Sequence, residues 1–138
     1  GACLLNKKVT PCMGVGTHGS TFGGNPLAMS VANVVLDHIL KKDFLKHVQS
    51  IGDYLKKLLK NEILGKYNDK VEEIRGQGLM LGIKTKLQNE LIIEKIRSEK
   101  LLTVKASENV IRLLPPLILQ KNHVEEAIEK ISKALSKL

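Results

Sequence analysis

The chain has 138 residues, of which 43% are hydrophobic and 26% charged, a balance typical of one globular domain with a real core. Its formal charge of +8 comes mainly from scattered lysines, and aromatic residues make up only 3%, so we expect a solvated basic surface and no nucleic-acid binding. No apolar run is long enough to cross a bilayer and no signal peptide is visible, so we also expect no membrane association.

The sequence contains no recognisable set of metal ligands. Cys3 and Cys12 do not form a CxxC unit, and the histidines lack the spacing of a zinc site. We therefore predict no bound metal. Two thiols outside any disulfide framework favour a reducing compartment, and we expect a cytoplasmic protein.

The chain begins with a short apolar stretch, residues 1–5, which we predict to be the end of a strand. A long irregular segment follows and ends in the glycine-rich loop Thr17–Leu27. Its hydroxyls, Ser20 and Thr21, lie next to a helix start, where backbone N–H groups suit an anion such as phosphate. The residues alone leave two interpretations open, an anion-binding loop or an ordinary glycine-rich connection.

A helix is predicted directly after this loop. Asn25 is a favourable N-cap and Pro26 is well tolerated at the first helical position. The segment from Leu27 to Leu40 is apolar on nearly every face, which is typical of a buried helix. The chain offers few other elements to surround it, which indicates missing partners.

Residues 44–138 predict an α+β layer of helices on a small, mainly antiparallel sheet. The predicted elements are a helix at 44–63, strands at 71–75 and 79–83, a helix at 88–100, strands at 101–105 and 110–114, and a helix beginning near 122. The link Gly76–Gly78 allows either a tight hairpin or a bulge in one bent strand. In the last helix we expect a cap by Asn122 with Glu125. We also expect two ion pairs between residues four apart, Glu126 with Lys130 and Glu129 with Lys133.

Arg112 is the only charge in the apolar stretch 109–117. Alternation in the strand places it on one face with Val110 and Leu114. A guanidinium there needs a partner, and a ligand carboxylate suits its planar fork. An internal ion pair or an edge position facing water explains it equally well. For Arg75, an exposed strand end or a bond to loop carbonyls is the favoured interpretation.

Four blocks of the chain resemble class III, pyridoxal-phosphate-dependent aminotransferases, most closely the acetylornithine aminotransferases. They are Gly1-Ala2, His18–Ala28, Arg75–Gly82 and a discontinuous block formed by Leu101–Val104 and Asn109–Leu117. The resemblance covers essentially the whole chain. It implies a fold-type I transferase, with residues 1–43 closing the large cofactor-binding domain and residues 44–138 forming the small C-terminal domain.

The resemblance also implies roles for individual residues. Ser20 and Thr21 would hold the phosphate of pyridoxal phosphate across a homodimer interface, in the partner's active site. Arg112 would bind the substrate carboxylate, or hold an acidic switch residue until substrate arrives. The implied reaction transfers an amino group from N-acetylornithine to 2-oxoglutarate in arginine biosynthesis.

The family's catalytic lysine, which forms the Schiff base with the cofactor, lies upstream of the region that matches Gly1. We therefore expect a C-terminal portion of an aminotransferase that is inactive alone. Two alternatives remain: a fragment of an ornithine or 4-aminobutyrate aminotransferase, or a stand-alone, non-catalytic α+β interaction domain.

Overall fold

The computed structural model of the protein describes residues 3–138. The chain divides into two compact units, one ending at Leu40 and the other spanning Lys41–Leu138. The first unit contains a short 3-10 helix, Thr10–Cys12, and α1, Pro26–Ile39. The elements of the second unit are α2 (Phe44–Leu58, continued by a π-helix at Leu59–Leu64), β1 (Val71–Gln77), β2 (Met80–Thr85), α3 (Asn89–Ser98), β3 (Val104–Ala106), β4 (Val110–Leu113) and α4 (Lys121–Leu135).

The second unit confirms the predicted α+β class. Its four strands form one antiparallel sheet in the order β1-β2-β4-β3. β1 and β2 are a hairpin whose last pair is Gln77 with Met80, so the glycine link is a tight turn rather than a bend within one strand. Gly76 and Gly78 both have positive φ there, 117° and 55°, a conformation that favours glycine.

The core lies between one face of the sheet and the helices. Buried apolar side chains of β1, β2 and β4 point into it, and along β2 and β4 they alternate with residues of the other face. They meet the apolar stripes of α2, α3 and α4, as helical periodicity predicts. The largest of its fully buried side chains are Leu59, Ile63, Leu81, Ile83, Ile92, Ile96, Ile111, Ile131 and Leu135. The opposite face of the sheet lies outside this core, and we call it the open face.

Helix α1 begins as predicted. The Asn25 side chain accepts a hydrogen bond from the Ala28 N–H at 2.8 Å, and Pro26 occupies the first turn. The expected burial of this helix is wrong for the chain as it stands, because no residue of α1 is buried. The physical reason is that, among its described residues, the first unit contains no second α-helix or strand to cover it.

Several element boundaries differ from expectation. Residues 3–5 are not in a strand, and the remainder of that prediction, Gly1 and Ala2, lies outside the described residues. β3 is shorter than predicted and begins at Val104. Helix α4 begins at Lys121 with Gln120 as its cap, in a capping box with His123. Glu125 is not used as a cap partner, since it accepts a hydrogen bond from Tyr54 at 2.7 Å.

Of the predicted pairs in α4, Lys130 does bond Glu126. Lys133 instead bonds Glu99, at 2.7 Å, and Lys137 bonds the same carboxylate. No helix in the described part of the chain is long and apolar enough to span a bilayer.

Gly52→Ala tests the contact between α2 and the β1–β2 turn. Alanine normally stabilises a helix interior by about 1 kcal/mol relative to glycine. Here an added Cβ would lie 2.6 Å from the Gly78 carbonyl oxygen, which is backbone and cannot rotate away. We expect a loss of about 1–3 kcal/mol in the free energy of unfolding, measured by urea denaturation.

The matched control is Ser50→Ala, on an exposed position of the same helix, which we expect to change stability by no more than about 0.5 kcal/mol. A Gly52→Ala protein as stable as the Ser50→Ala control would contradict the close contact.

Candidate functional site

The open face of the sheet carries one row of four residues, one from each strand. Arg75 of β1 pairs with Gly82 of β2, Gly82 pairs with Arg112 of β4, and Arg112 pairs with Val104 of β3. Directly opposed residues of antiparallel strands share a face. The two guanidinium side chains therefore flank a position that has no side chain at all.

Three cations lie on the open face, and two of them are neutralised within the chain. Arg75 donates to Glu108 at 2.7 Å, and Lys84 donates to Glu72 at 2.7 Å. Arg112 has no side-chain hydrogen bond or ion pair with any residue in 3–138, and it is exposed. The internal ion pair that the sequence left open for Arg112 is therefore absent from the described residues, and its guanidinium is free to bind a ligand.

A cavity of about 470 Å³ lies on the open face of the sheet. Both arginines line it, together with Gly82 and Glu108. A Cβ at Gly82 would lie 2.8 Å from Cγ1 of Val110 and 3.6 Å from Cγ of Arg75. Glycine is therefore required for the close packing beneath the cavity, and any side chain there would also fill the space between the arginines.

The Arg75–Glu108 pair sets the charge at one side of this cavity. The hydrogen bond from Arg75 lowers the pKa of the Glu108 carboxyl below its ordinary value, with a smaller contribution from the charge of Arg75. The same bond raises the pKa of Arg75. At neutral pH, both groups are ionised and their charges offset each other.

A second cavity, of about 580 Å³, lies between the strand ends and α4. Its lining is mostly apolar, from residues 101–104, the proline segment after β4, and α4, and it also includes Arg112. The buried Thr103 hydroxyl in this lining has no hydrogen-bond partner among the described residues. Arg112 thus borders both cavities.

Ser20 and Thr21 lie together in the first unit, in the turn before α1. The Gly23 N–H donates to the Ser20 carbonyl at 3.1 Å, and Gly24 has φ of 73°. Both side chains are exposed, and neither hydroxyl bonds another residue in the described range. By contrast, the Thr17 hydroxyl is used within the loop, where it donates to the Gly14 carbonyl at 2.7 Å.

Three features of the site were not found from the sequence. Glu108 was assigned only to a turn, Gly82 only to a strand interior, and Arg75 to an exposed strand end or a bond with loop carbonyls. The signal available for Arg75 and Gly82 was strand alternation, which assigns each residue to one face of its own strand.

In the described part of the chain, no group of three His, Cys, Asp or Glu side chains is arranged to hold a metal ion.

Comparison with known proteins gives the family. The sequence model of aminotransferase class III matches residues 1–135. The chain belongs to the class III aminotransferases. This family is pyridoxal-phosphate-dependent.

Individual relatives agree with the family assignment. Over 134 residues the chain is 44% identical to acetylornithine aminotransferase 1 of Bradyrhizobium diazoefficiens, an alignment that covers 97% of this chain and 33% of that protein. The chain thus spans about a third of the length of the curated relatives it matches.

Solved structures share the fold. The ornithine aminotransferase of Plasmodium yoelii superposes with a TM-score of 0.79 at 31% identity, covering 97% of this chain and 36% of the other. Acetylornithine aminotransferase from Elizabethkingia anophelis gives 0.78 at 27% identity, covering 98% and 36%.

The Arg75–Glu108 pair can be tested by titration. Because Arg75 holds the carboxylate form, we expect Glu108 to titrate below the ordinary range of a glutamate in a carbon-detected NMR titration, and Arg75→Gln to move it upward. Glu126, whose pKa is lowered by Lys130, serves as the internal control and should not move. An unchanged Glu108 titration in Arg75→Gln would refute the pair.

Proposed function

We propose that the chain is the C-terminal third of a longer aminotransferase that transfers an amino group from N-acetylornithine to 2-oxoglutarate. The unpaired Arg112 guanidinium on the open face is the observation that carries this proposal, because both substrates present a carboxylate. The choice of donor is supported by the 44% identity to a protein named acetylornithine aminotransferase. Ornithine is the second candidate, supported by the likeness to an ornithine aminotransferase structure.

The proposal assigns residues 1–43 to the end of a large cofactor-binding domain and residues 44–138 to a small domain. Helix α1 supports this assignment, since its apolar side chains lie exposed here; Leu27, for example, is 76% exposed. Exposing so much apolar surface is unfavourable, and a surrounding domain would cover it. In this assignment the catalytic lysine lies in the upstream part, and the chain alone is inactive.

Ser20 and Thr21 fit a phosphate group. Their hydroxyls are exposed and make no hydrogen bond within the described chain. Each hydroxyl can therefore donate a hydrogen bond to an anion without breaking one inside the protein. We assign them to the phosphate of pyridoxal phosphate, bound across a homodimer interface. When bound, that cofactor supplies the electron sink for amino-group exchange.

In this proposal Arg112 binds the substrate. A guanidinium can donate two parallel hydrogen bonds to one carboxylate, which fixes both the position and the direction of the substrate. Such orientation lowers the entropic part of the barrier. Arg112 thereby binds and orients the substrate and takes no part in proton transfer.

The longer enzyme with Arg112→Gln tests the function. A charge-assisted hydrogen bond is worth about 1.5–3 kcal/mol, so we expect kcat/KM to fall about ten- to a hundredfold for N-acetylornithine. Arg97→Gln is the matched control, because Arg97 is exposed on α3 and should leave kcat/KM unchanged. Steady-state assays with N-acetylornithine and with ornithine also identify the preferred donor.

Equal kcat/KM values for the wild type and Arg112→Gln would remove Arg112 from the substrate site. A higher kcat/KM for ornithine than for N-acetylornithine would replace the proposed donor by the second candidate.

Thr21→Ala in the longer enzyme tests the phosphate role. Loss of one hydroxyl hydrogen bond should weaken the affinity for pyridoxal phosphate about three- to tenfold, measured by fluorescence titration of the apoenzyme. Thr17→Ala is the control in the same loop, because that hydroxyl already donates to a backbone carbonyl, and its cofactor affinity should be unchanged. Equal cofactor affinity in Thr21→Ala and the wild type would exclude Thr21 from the phosphate site.

A further inference from the structure

The open-face cavity has two arginines but offers only one of them to a ligand. Arg75 and Arg112 are separated by one intervening strand, so their Cα atoms lie about 10 Å apart, two strand spacings. Both side chains line the same cavity, and Gly82 between them contributes no side chain. Without further contacts, this arrangement would hold two carboxylates of one small molecule.

Glu108 makes the two arginines different. It reaches Arg75 from the turn between β3 and β4, and its carboxylate lies 2.7 Å from the guanidinium. Both side chains stay largely exposed, at 43% for Arg75 and 67% for Glu108. An exposed ion pair contributes little to stability, so the main physical consequence of this pair is the charge that the cavity presents.

The other charged side chains of the open face do not line this cavity. Lys84 lies on the same face and is paired with Glu72 at 2.7 Å. Glu73 pairs in register with Lys84 and makes no bond of its own among the described residues. The guanidinium of Arg112 is therefore the unpaired cation at this cavity, within the part of the chain that the structure describes.

We propose that Glu108 is a specificity-determining residue that masks Arg75, so that the open-face cavity accepts a single carboxylate at Arg112. The ligand class is an amino acid or oxo acid whose remaining part is uncharged where it meets Arg75. For a dicarboxylate, the second carboxylate must be held by groups outside this cavity. This inference rests on the carboxylate-binding role of Arg112 in the proposed function.

The test compares a dicarboxylate with a monocarboxylate of similar length. Glutarate and butyrate are titrated into the full chain, and the backbone amide of Gly82 is followed by NMR. In the wild type we expect the two dissociation constants to be alike. In Glu108→Gln we expect glutarate to bind about tenfold more tightly, because a free guanidinium gains a charge-assisted hydrogen bond, while butyrate changes by no more than about twofold.

Two further variants separate unmasking from a general change in charge. Glu73→Gln removes one negative charge from the same face without releasing an arginine, so we expect the ratio of the glutarate and butyrate constants to stay at the wild-type value. Glu108→Gln combined with Arg75→Gln should lose the gain for glutarate. Glu108→Asn repeats the test with a residue that suits the φ of 59° at this position, and it should give the same gain as Glu108→Gln.

The outcomes distinguish this inference from the proposed function. An unchanged glutarate-to-butyrate ratio in both Glu108 variants would overturn the masking role, and so would a gain that survives loss of Arg75 or that Glu73→Gln reproduces. If butyrate binds the wild type and Arg112→Gln equally well, then the carboxylate role of Arg112 fails, whatever Glu108 does.

Discussion

The pairing of β2 with a strand on each side determines the position of both arginines on the open face. Gly82 lies at the centre of this pairing, opposite Arg75 on one side and Arg112 on the other. A slip of one residue in this register would turn a strand's side chains to the opposite face. The arginine of the strand that slipped would then face the apolar core, at a large desolvation cost. The alternation of core-facing and open-face residues along the strands therefore also determines which charged side chains lie at the cavity.

A buried asparagine stabilises the turn that carries Glu108. The Asn89 side chain donates to the carbonyls of Ala106 at 3.2 Å and Val110 at 2.9 Å, on either side of that turn. Asn109 accepts from the Asn89 N–H at 2.8 Å and donates to the Thr85 carbonyl at 2.5 Å. Because buried polar groups cost free energy unless they are bonded, this network keeps Glu108, next to Asn109, on the side of the sheet where Arg75 lies.

The two units of the chain offer different functional groups. The first offers two free hydroxyls before an exposed, apolar helix. The second offers, among its described residues, one unpaired guanidinium on a sheet face where Arg75 and Lys84 are paired. This division agrees with a chain that spans about a third of its relatives' length. In the proposed assignment the two units serve the cofactor and the substrate respectively.

Long-range ion pairs mark the limit of local sequence patterns. Spacing along α4 predicted that Lys133 pairs with Glu129, four residues away. In the structure Lys133 bonds Glu99, the C-cap residue of α3. The Glu99 side chain is only 10% exposed, and it also bonds Lys137. The packing of α3 against α4 brings this carboxylate within reach, and helical periodicity contains no information about the neighbouring helix.

For the loop hydroxyls and for Arg112, residue type left ligand binding and a structural role both open. The sequence by itself determined the class of the fold, the cap of α1 and the order of helices and strands. These follow from periodicity, from the special backbone properties of Gly, Pro and Asn, and from residue type, all of which act within a few positions of the chain. Only the tertiary structure decided that Arg75 pairs with Glu108, 33 residues away, and that Arg112 has no such partner among the described residues. Strand register joins distant residues, and it depends on the packing of the whole sheet.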